Sequence, residues 1–407
     1  MRKLNKRVLI LTISYPPVLN SAARLFSELA EGLRERGFYV TVITTEPQRY
    51  VANNEKAVPK MEKLNGVEVF RLSTIPFPKH IPLFRGLEHF FVAFQYWFKG
   101  KFLTPYDVVV IYSPPLPLAL AGIKLARKWK GKAIVNIQDL YPQTAIDLGL
   151  LKNRFLISLS RRMELWVYQN ADFISVHSEG NREYVVACGA NEEKVFVIPN
   201  WIDLEKYKPG PLKNSFRKKY RLENSFLVSY AGVMGFAQGV DDILKAAAIL
   251  GKKIPFFSLI LAGDGVKLGR LKKLSKELDL KRVYFLPHLP EEEYIHLLQA
   301  SDICLVTLNK NLLTPVVPGK LQCIMAVGRP AICSTPPTSD AKRILENSEA
   351  GIWVNAGDYK ALAEAILKLY RQPELRYKMG KKARLYAEEH FNREGCISQY
   401  IDLINGK

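Results

Sequence analysis

Short, unbroken apolar runs alternate with amphipathic stretches along most of this chain. Residues 8–13 form an apolar run of strand length, the pattern of a strand buried on both faces. Over 22–36, Ala22, Leu25, Phe26, Leu29, Ala30 and Leu33 recur at helical spacing, Gly37 supplies a stop, and 38–44 begins the next apolar run. This is a βαβ unit. Residues 108–112, 133–137, 173–176 and 195–198 predict four more strands. After Pro199 and Asn200 the composition turns loop-like, and 207–212 (Tyr-Lys-Pro-Gly-Pro-Leu) reads as a linker. A second alternation follows, with strands over 226–231, 257–262, 283–286 and 303–307. Helices are predicted over 241–250, 268–278 and 291–300, and a mostly helical stretch over 373–404. The expected fold class is α/β, with two parallel-sheet domains and a ligand cleft at their carboxyl strand ends.

Several junctions carry candidate chemistry. Pro318-Gly319 hands over to a short helix from about Lys320 to Val327, which Gly328 ends and Pro330 keeps from resuming. A helix start aims unpaired N–H groups and the positive dipole end outward, and Lys320 adds a full charge, which together suit a phosphate. An ordinary helix start with a solvated lysine fits equally well. Gly232, Gly235 and Gly239 lie in a turn between strand and helix, where bare backbone can approach a phosphate, and Gly263-Asp264-Gly265 follows the next strand. Each turn is weak evidence alone. Asp241-Asp242 suggests helix-dipole charge rather than a metal pair, and no metal site is expected. Asp139 follows the 133–137 strand, where it suits either binding of a hydroxyl or a local turn bond. His177 and His288 also follow strands, a placement that is usually structural.

Composition sharpens the picture in three respects. The 407 residues, 48% apolar, exceed what one core holds. Five scattered cysteines (188, 304, 323, 333, 396) show no C-x-x-C pair, and no apolar run reaches membrane-spanning length. A reducing cytoplasmic setting is expected. Net charge is +20, and the stretch from Arg71 to Lys132 holds ten Lys/Arg against only Glu88 and Asp107, which implies an anionic partner. Residues 77–106 include ten aromatics (Phe77, Phe84, Phe90, Phe91, Phe94, Tyr96, Trp97, Phe98, Phe102, Tyr106), with Lys79, Arg85, Lys99 and Lys101 among them. The block reads either as a helix buried under the first sheet or as one bedded in an anionic bilayer interface. Stacking on single-stranded nucleic acid ranks lower, since no nucleic-acid module surrounds it.

The order of the motifs is more specific than any one of them. A Pro16-Pro17 turn is followed by Ile198-Pro199-Asn200-Trp201-Ile202-Asp203, the glycine turn from Tyr230, Gly263-Asp264-Gly265, and Met325-Ala326-Val327-Gly328-Arg329-Pro330. This series resembles the retaining nucleotide-sugar glycosyltransferases of family four, which have the GT-B fold of two Rossmann-like domains facing a central cleft. Pro318-Gly319-Lys320-Leu321 and Gln138-Asp139-Leu140-Tyr141-Pro142 look most like the enzymes that build surface polysaccharides on lipid carriers.

The resemblance implies an acceptor domain over 1–200, with a helix over about 388–407 packed back on it, and a donor domain over 201–387. It implies a nucleotide diphosphate sugar as donor, UDP favoured over GDP, and no obligatory cofactor. On the donor side it implies Gly232, Gly235, Gln238, Gly263, Asp264, Leu286, His288, Gly319, Lys320 and Leu321. On the acceptor side it implies Tyr15, Arg24 and Asp139, with Asp139 and Lys320 catalytic. The expected acceptor is a glycan on a polyprenyl diphosphate, with the enzyme peripheral at the inner face of the cell membrane. A sugar-nucleotide epimerase on the same plan, or a non-catalytic lipid- or nucleic-acid-binding scaffold, is the alternative. The chain departs from relatives at Pro315 and Cys323, where two glutamates are common, and at Val233 and Gln238, where an Arg and a Lys are common.

Overall fold

The computed structural model describes residues 6–18, 20–47, 58–73 and 82–406, except the side chains of 82–87. Phe77 and Lys79, and the side chains of Phe84 and Arg85, therefore lie outside the described residues. The chain divides into two compact units, one of Met1–Asn200 with Glu394–Lys407 and one of Trp201–Arg393. Among the described residues no helix is long and apolar enough to cross a membrane.

The first unit is built on an eight-stranded sheet. In chain order its strands are β1 (Arg7–Leu11), β2 (Tyr39–Thr45), β3 (Met61–Leu64), β4 (Val67–Leu72), β5 (Val108–Ser113), β6 (Lys132–Ile137), β7 (Phe173–Val176) and β8 (Val195–Val197). The spatial order is β3-β4-β2-β1-β5-β6-β7-β8. All neighbours are parallel except β3 and β4. Val8, Leu9, Ile10 and Leu11 are fully buried, as a central parallel strand covered on both faces demands. The helix Ser21–Glu35 starts where the Asn20 side chain accepts the Ala23 N–H, and it buries Ala23, Leu25, Phe26, Leu29, Ala30 and Leu33.

The sequence pattern places no strand between β2 and β5, yet a hairpin stands there. Asn65 and Gly66, at φ of 47° and 83°, form its two-residue turn. The last helix, Arg393–Asn405, belongs with this unit. Its Tyr400 hydroxyl receives the Asn136 amide at 2.7 Å and lies 3.0 Å from Ser175 Oγ, tying it to β6 and β7.

The second unit has six parallel strands: β9 (Phe226–Ala231), β10 (Phe257–Ala262), β11 (Val283–Leu286), β12 (Ile303–Thr307), β13 (Ala331–Thr335) and β14 (Gly351–Asn355). Their order is β11-β10-β9-β12-β13-β14. Nearly every residue of β9, β10, β12 and β13 is buried. The stretch 207–212, linker-like by composition, is instead clamped to this unit. The Gln299 amide donates to the Lys208 carbonyl and Arg329 to that of Gly210, each at 2.8 Å. Tyr207 is buried with them.

Candidate active site

Along the carboxyl edge of the second sheet, four successive strands release loops that touch one another. Leu286 ends β11, and its carbonyl accepts the Gly263 N–H at 3.0 Å. Gly263 follows β10, and a methyl group there would fall 2.1 Å from the Gly232 carbonyl oxygen. Gly232 follows β9, and a methyl group there would fall 2.9 Å from the Lys320 Nζ. These two glycines, at φ of 131° and 144°, permit a close approach that side chains would forbid. Lys320 lies in the first turn of the helix Gly319–Ala326, which begins after β12. One row thus joins Leu286, Gly263, Gly232 and Lys320.

Lys320 is half-buried, with its ammonium 3.9 Å from the centroid of the Tyr230 ring. Desolvation lowers its pKa to about 7. Among the described residues no carboxylate pairs with it. Its neighbour Cys333 is fully buried and its thiol is pushed far up by burial, so it brings no negative charge at neutral pH. Tyr230 is held in place by its hydroxyl, which donates to the Val233 carbonyl at 2.7 Å. A desolvated cation beside bare backbone N–H groups at a helix start suits a diphosphate.

Other donor-side candidates take different roles. The Gln238 side chain accepts the Gly235 N–H at 3.2 Å and so braces the glycine turn. The Asp264 carboxylate accepts the Gly265 N–H at 2.7 Å, and its carbonyl accepts the Met234 N–H at 2.8 Å. That loop therefore serves the packing of one turn on the other. Gly319 and His288 are exposed. The Leu321 side chain is fully buried in the core below the helix, and its N–H bonds the Pro318 carbonyl at 2.9 Å. Cys323 donates its thiol to the Gly319 carbonyl at 3.7 Å. Asp241 pairs with Lys267 at 3.7 Å and Arg270 at 3.1 Å.

In the first unit Asp139 lies two residues past β6 and is half-buried. Desolvation raises its pKa, against hydrogen bonds from the Thr144 hydroxyl, 2.6 Å away, and the Leu140 N–H. Burial first, then the Asp139 charge, pushes the Tyr112 hydroxyl up to about 12. Tyr112 in turn packs edge-on against Phe26, with centroids 5.5 Å apart. Tyr15 is turned into the core at 1% exposure, so it supports its loop from beneath rather than lining it. Arg24 pairs with Glu28 at 3.6 Å. His177 is buried, with the Asn181 amide 2.8 Å from its Nε2.

Four further residues, none of them a site candidate by sequence, support these arrangements. Tyr230 and Cys333 flank Lys320, and Thr144 holds Asp139. Arg71, counted above with the basic surface, is instead buried; it pairs with Glu62 and donates to the Pro16 carbonyl at 2.6 Å, bracing the loop before the first helix. Only Tyr230 carries a readable signal, as the residue that opens the glycine turn.

Two family models match the chain: Glycosyl transferase 4-like domain over residues 21–201 and Glycosyl transferases group 1 over 213–386. A protein of Escherichia coli K12 named as a colanic acid biosynthesis glycosyl transferase, WcaI, is 26% identical over 98% of this chain and 100% of its own. Sucrose-phosphate synthase from Thermosynechococcus elongatus shares the fold, with a TM-score of 0.77 and 19% identity over 98% of both chains. HepE of Anabaena, solved with UDP-glucose, shares it with a TM-score of 0.73 and 16% identity over 99% of this chain and 100% of its own. With two parallel-sheet units, each matched by its own model, the chain belongs to the GT-B glycosyltransferases, a group 1 glycosyl transferase with a 4-like N-terminal domain.

Proposed function

We propose that this glycosyltransferase moves a sugar, with retention at the anomeric carbon, from a nucleotide diphosphate sugar to a polyprenyl-diphosphate-linked glycan. The observation that carries the reading is the desolvated, carboxylate-free ammonium of Lys320 against the glycine turn. On this reading the donor diphosphate lies on Gly232, Gly235, Gly319 and Lys320, and the base lies beside Leu286 and His288. As the anomeric carbon parts from the diphosphate oxygen, Lys320 and the helix start stabilise the charge that develops. The acceptor oxygen bonds the same face of that carbon, and its proton passes to a diphosphate oxygen. Asp139 binds the acceptor hydroxyl or the developing oxocarbenium ion. Charge stabilisation by Lys320 gives the diphosphate a counter-charge without a metal.

UDP is the favoured nucleotide, supported by the UDP-glucose bound in HepE. The sugar moved is a hexosyl or N-acetylhexosaminyl group, and a place in surface polysaccharide synthesis is supported by the likeness to WcaI. An acceptor on a lipid carrier places the enzyme in the cytoplasm, peripheral at the inner face of the membrane. Thermal-shift screening with UDP, GDP, ADP and dTDP tests the reading, since a ligand that binds the native state raises Tm. We expect UDP to stabilise the wild type and to lose that effect in Lys320→Ala. Stabilisation by none of the four would overturn it.

A further inference from the structure

Three neighbouring helices of the first unit, Pro82–Gly100, Leu116–Trp129 and Arg154–Asn170, pack side by side, the second in contact with both others. The first helix is neither wholly buried nor wholly exposed. Val92, Ala93 and Tyr96 face the core. Phe90, Phe94 and Phe98, with Phe102 just past its end, follow at four-residue intervals and stand 47%, 57%, 47% and 69% exposed. That spacing lays them along one stripe. Phe98 lies 6.1 Å from Phe94 and 5.1 Å from Phe102 between ring centroids. Lys101 Nζ lies within 5.0 Å of the Trp97, Phe98 and Phe102 centroids, so a cation sits among the rings.

The second helix turns Lys124, Arg127 and Lys128 outward and contains no acidic residue. The third exposes Phe155 at 74% and Leu159 at 40%, beside exposed Arg154 and Arg162. Its one acidic residue, Glu164, is buried and paired with Arg161 at 2.9 Å.

Single exposed apolar residues need no explanation. Four phenylalanines in register, next to a ridge of cations with no exposed carboxylate on it, are another matter. Apolar insertion or electrostatic attraction alone gives only marginal membrane binding, and this face supplies both. We propose that the three-helix face docks on an anionic lipid bilayer, with the phenylalanine stripe at the headgroup–acyl boundary and Lys124, Arg127 and Lys128 on the headgroups. This deepens the membrane-borne acceptor reading above and adds the second and third helices to it. Single-stranded nucleic acid is the other anion such a face attracts. The Phe94, Phe98 and Phe102 rings already pack on one another, and no nucleic-acid module surrounds them, which favours the bilayer.

The test is sedimentation of the full chain with vesicles of phosphatidylcholine, alone or containing phosphatidylglycerol. Binding to the anionic vesicles only, weakened by salt, is expected. Phe94→Ser with Phe98→Ser should abolish it. Lys124→Glu with Arg127→Glu and Lys128→Glu should weaken it on the order of a hundredfold, at roughly fivefold per cation. Circular dichroism melts of both variants check the fold, and UDP stabilisation should persist in both. Equal binding to both vesicle types, or unchanged binding by both variants, overturns the proposal. So does binding of a single-stranded oligonucleotide that the same substitutions abolish while vesicles are not bound. Vesicle binding needs neither donor nor acceptor, so a failed nucleotide screen would leave this result standing.

Discussion

The ammonium of Lys320 rests on the face of Tyr230, 3.9 Å from the ring centroid, with no carboxylate paired to it among the described residues. Burial disfavours its charged form and places its pKa at about 7. A bound diphosphate favours the charged form and raises that pKa. Nucleotide affinity should therefore be greatest below pH 7 and fall about tenfold per pH unit above it, until the pKa of the complex is reached. Isothermal titration across pH, in buffers of different ionisation enthalpy, should show proton uptake on binding. Lys320→Met should bind weakly and lose the pH dependence.

Gly232→Ala and Gly263→Ala should fail differently. At Gly232 the new methyl meets the mobile end of Lys320, and the positive φ itself costs about 1–3 kcal/mol. Donor KM should rise while the protein stays folded. At Gly263 the methyl meets a backbone oxygen at 2.1 Å, so the two turns must part. A larger drop in Tm, seen by calorimetry, is the expected result.

Asp139→Asn should lower kcat by roughly 10²–10³ with donor binding unchanged, the loss of one electrostatic stabiliser. Thr144→Ala gives a finer readout. The Thr144 hydroxyl holds the Asp139 pKa down, so its loss raises that pKa further. The acid limb of the pH–kcat profile should move to higher pH.

Tyr400→Phe removes the hydroxyl that meets Asn136 and Ser175, which keep their own 3.0 Å bond to each other, so the loss costs about 0.5–1.5 kcal/mol. Hydrogen exchange should accelerate in β6 and β7. Amides of β9 and β10 should be unaffected.

Legibility follows how local the determinants are. β5 and β10 carry unbroken apolar runs over 108–112 and 259–262, readable because a parallel strand is covered on both sides. β3 sets two adjacent charges, Glu62 and Lys63, between Met61 and Leu64 and is largely exposed, so no buried run marks it; the Asn65-Gly66 pair is its one readable sign. The 207–212 stretch has linker composition, but Gln299 and Arg329, some ninety or more residues on, hold it. Lys320 stands out as a charged residue at a helix start. Its low pKa does not, because the burial that causes it arises only through tertiary packing. The inward turn of Tyr15 is equally hidden, since spacing fixes a residue's place in an element but not the burial of an irregular loop.

The return of Arg393–Asn405 to the first unit has a consequence for synthesis. The second unit, Trp201–Arg393, is contiguous and can fold as soon as it clears the ribosome. The first unit emerges earlier, yet Asn136 and Ser175 wait for Tyr400, which is made 264 and 225 residues later. The half translated first is thus the half completed last, and a chain cut short before Tyr400 keeps every residue of the second unit while the first lacks its closing helix.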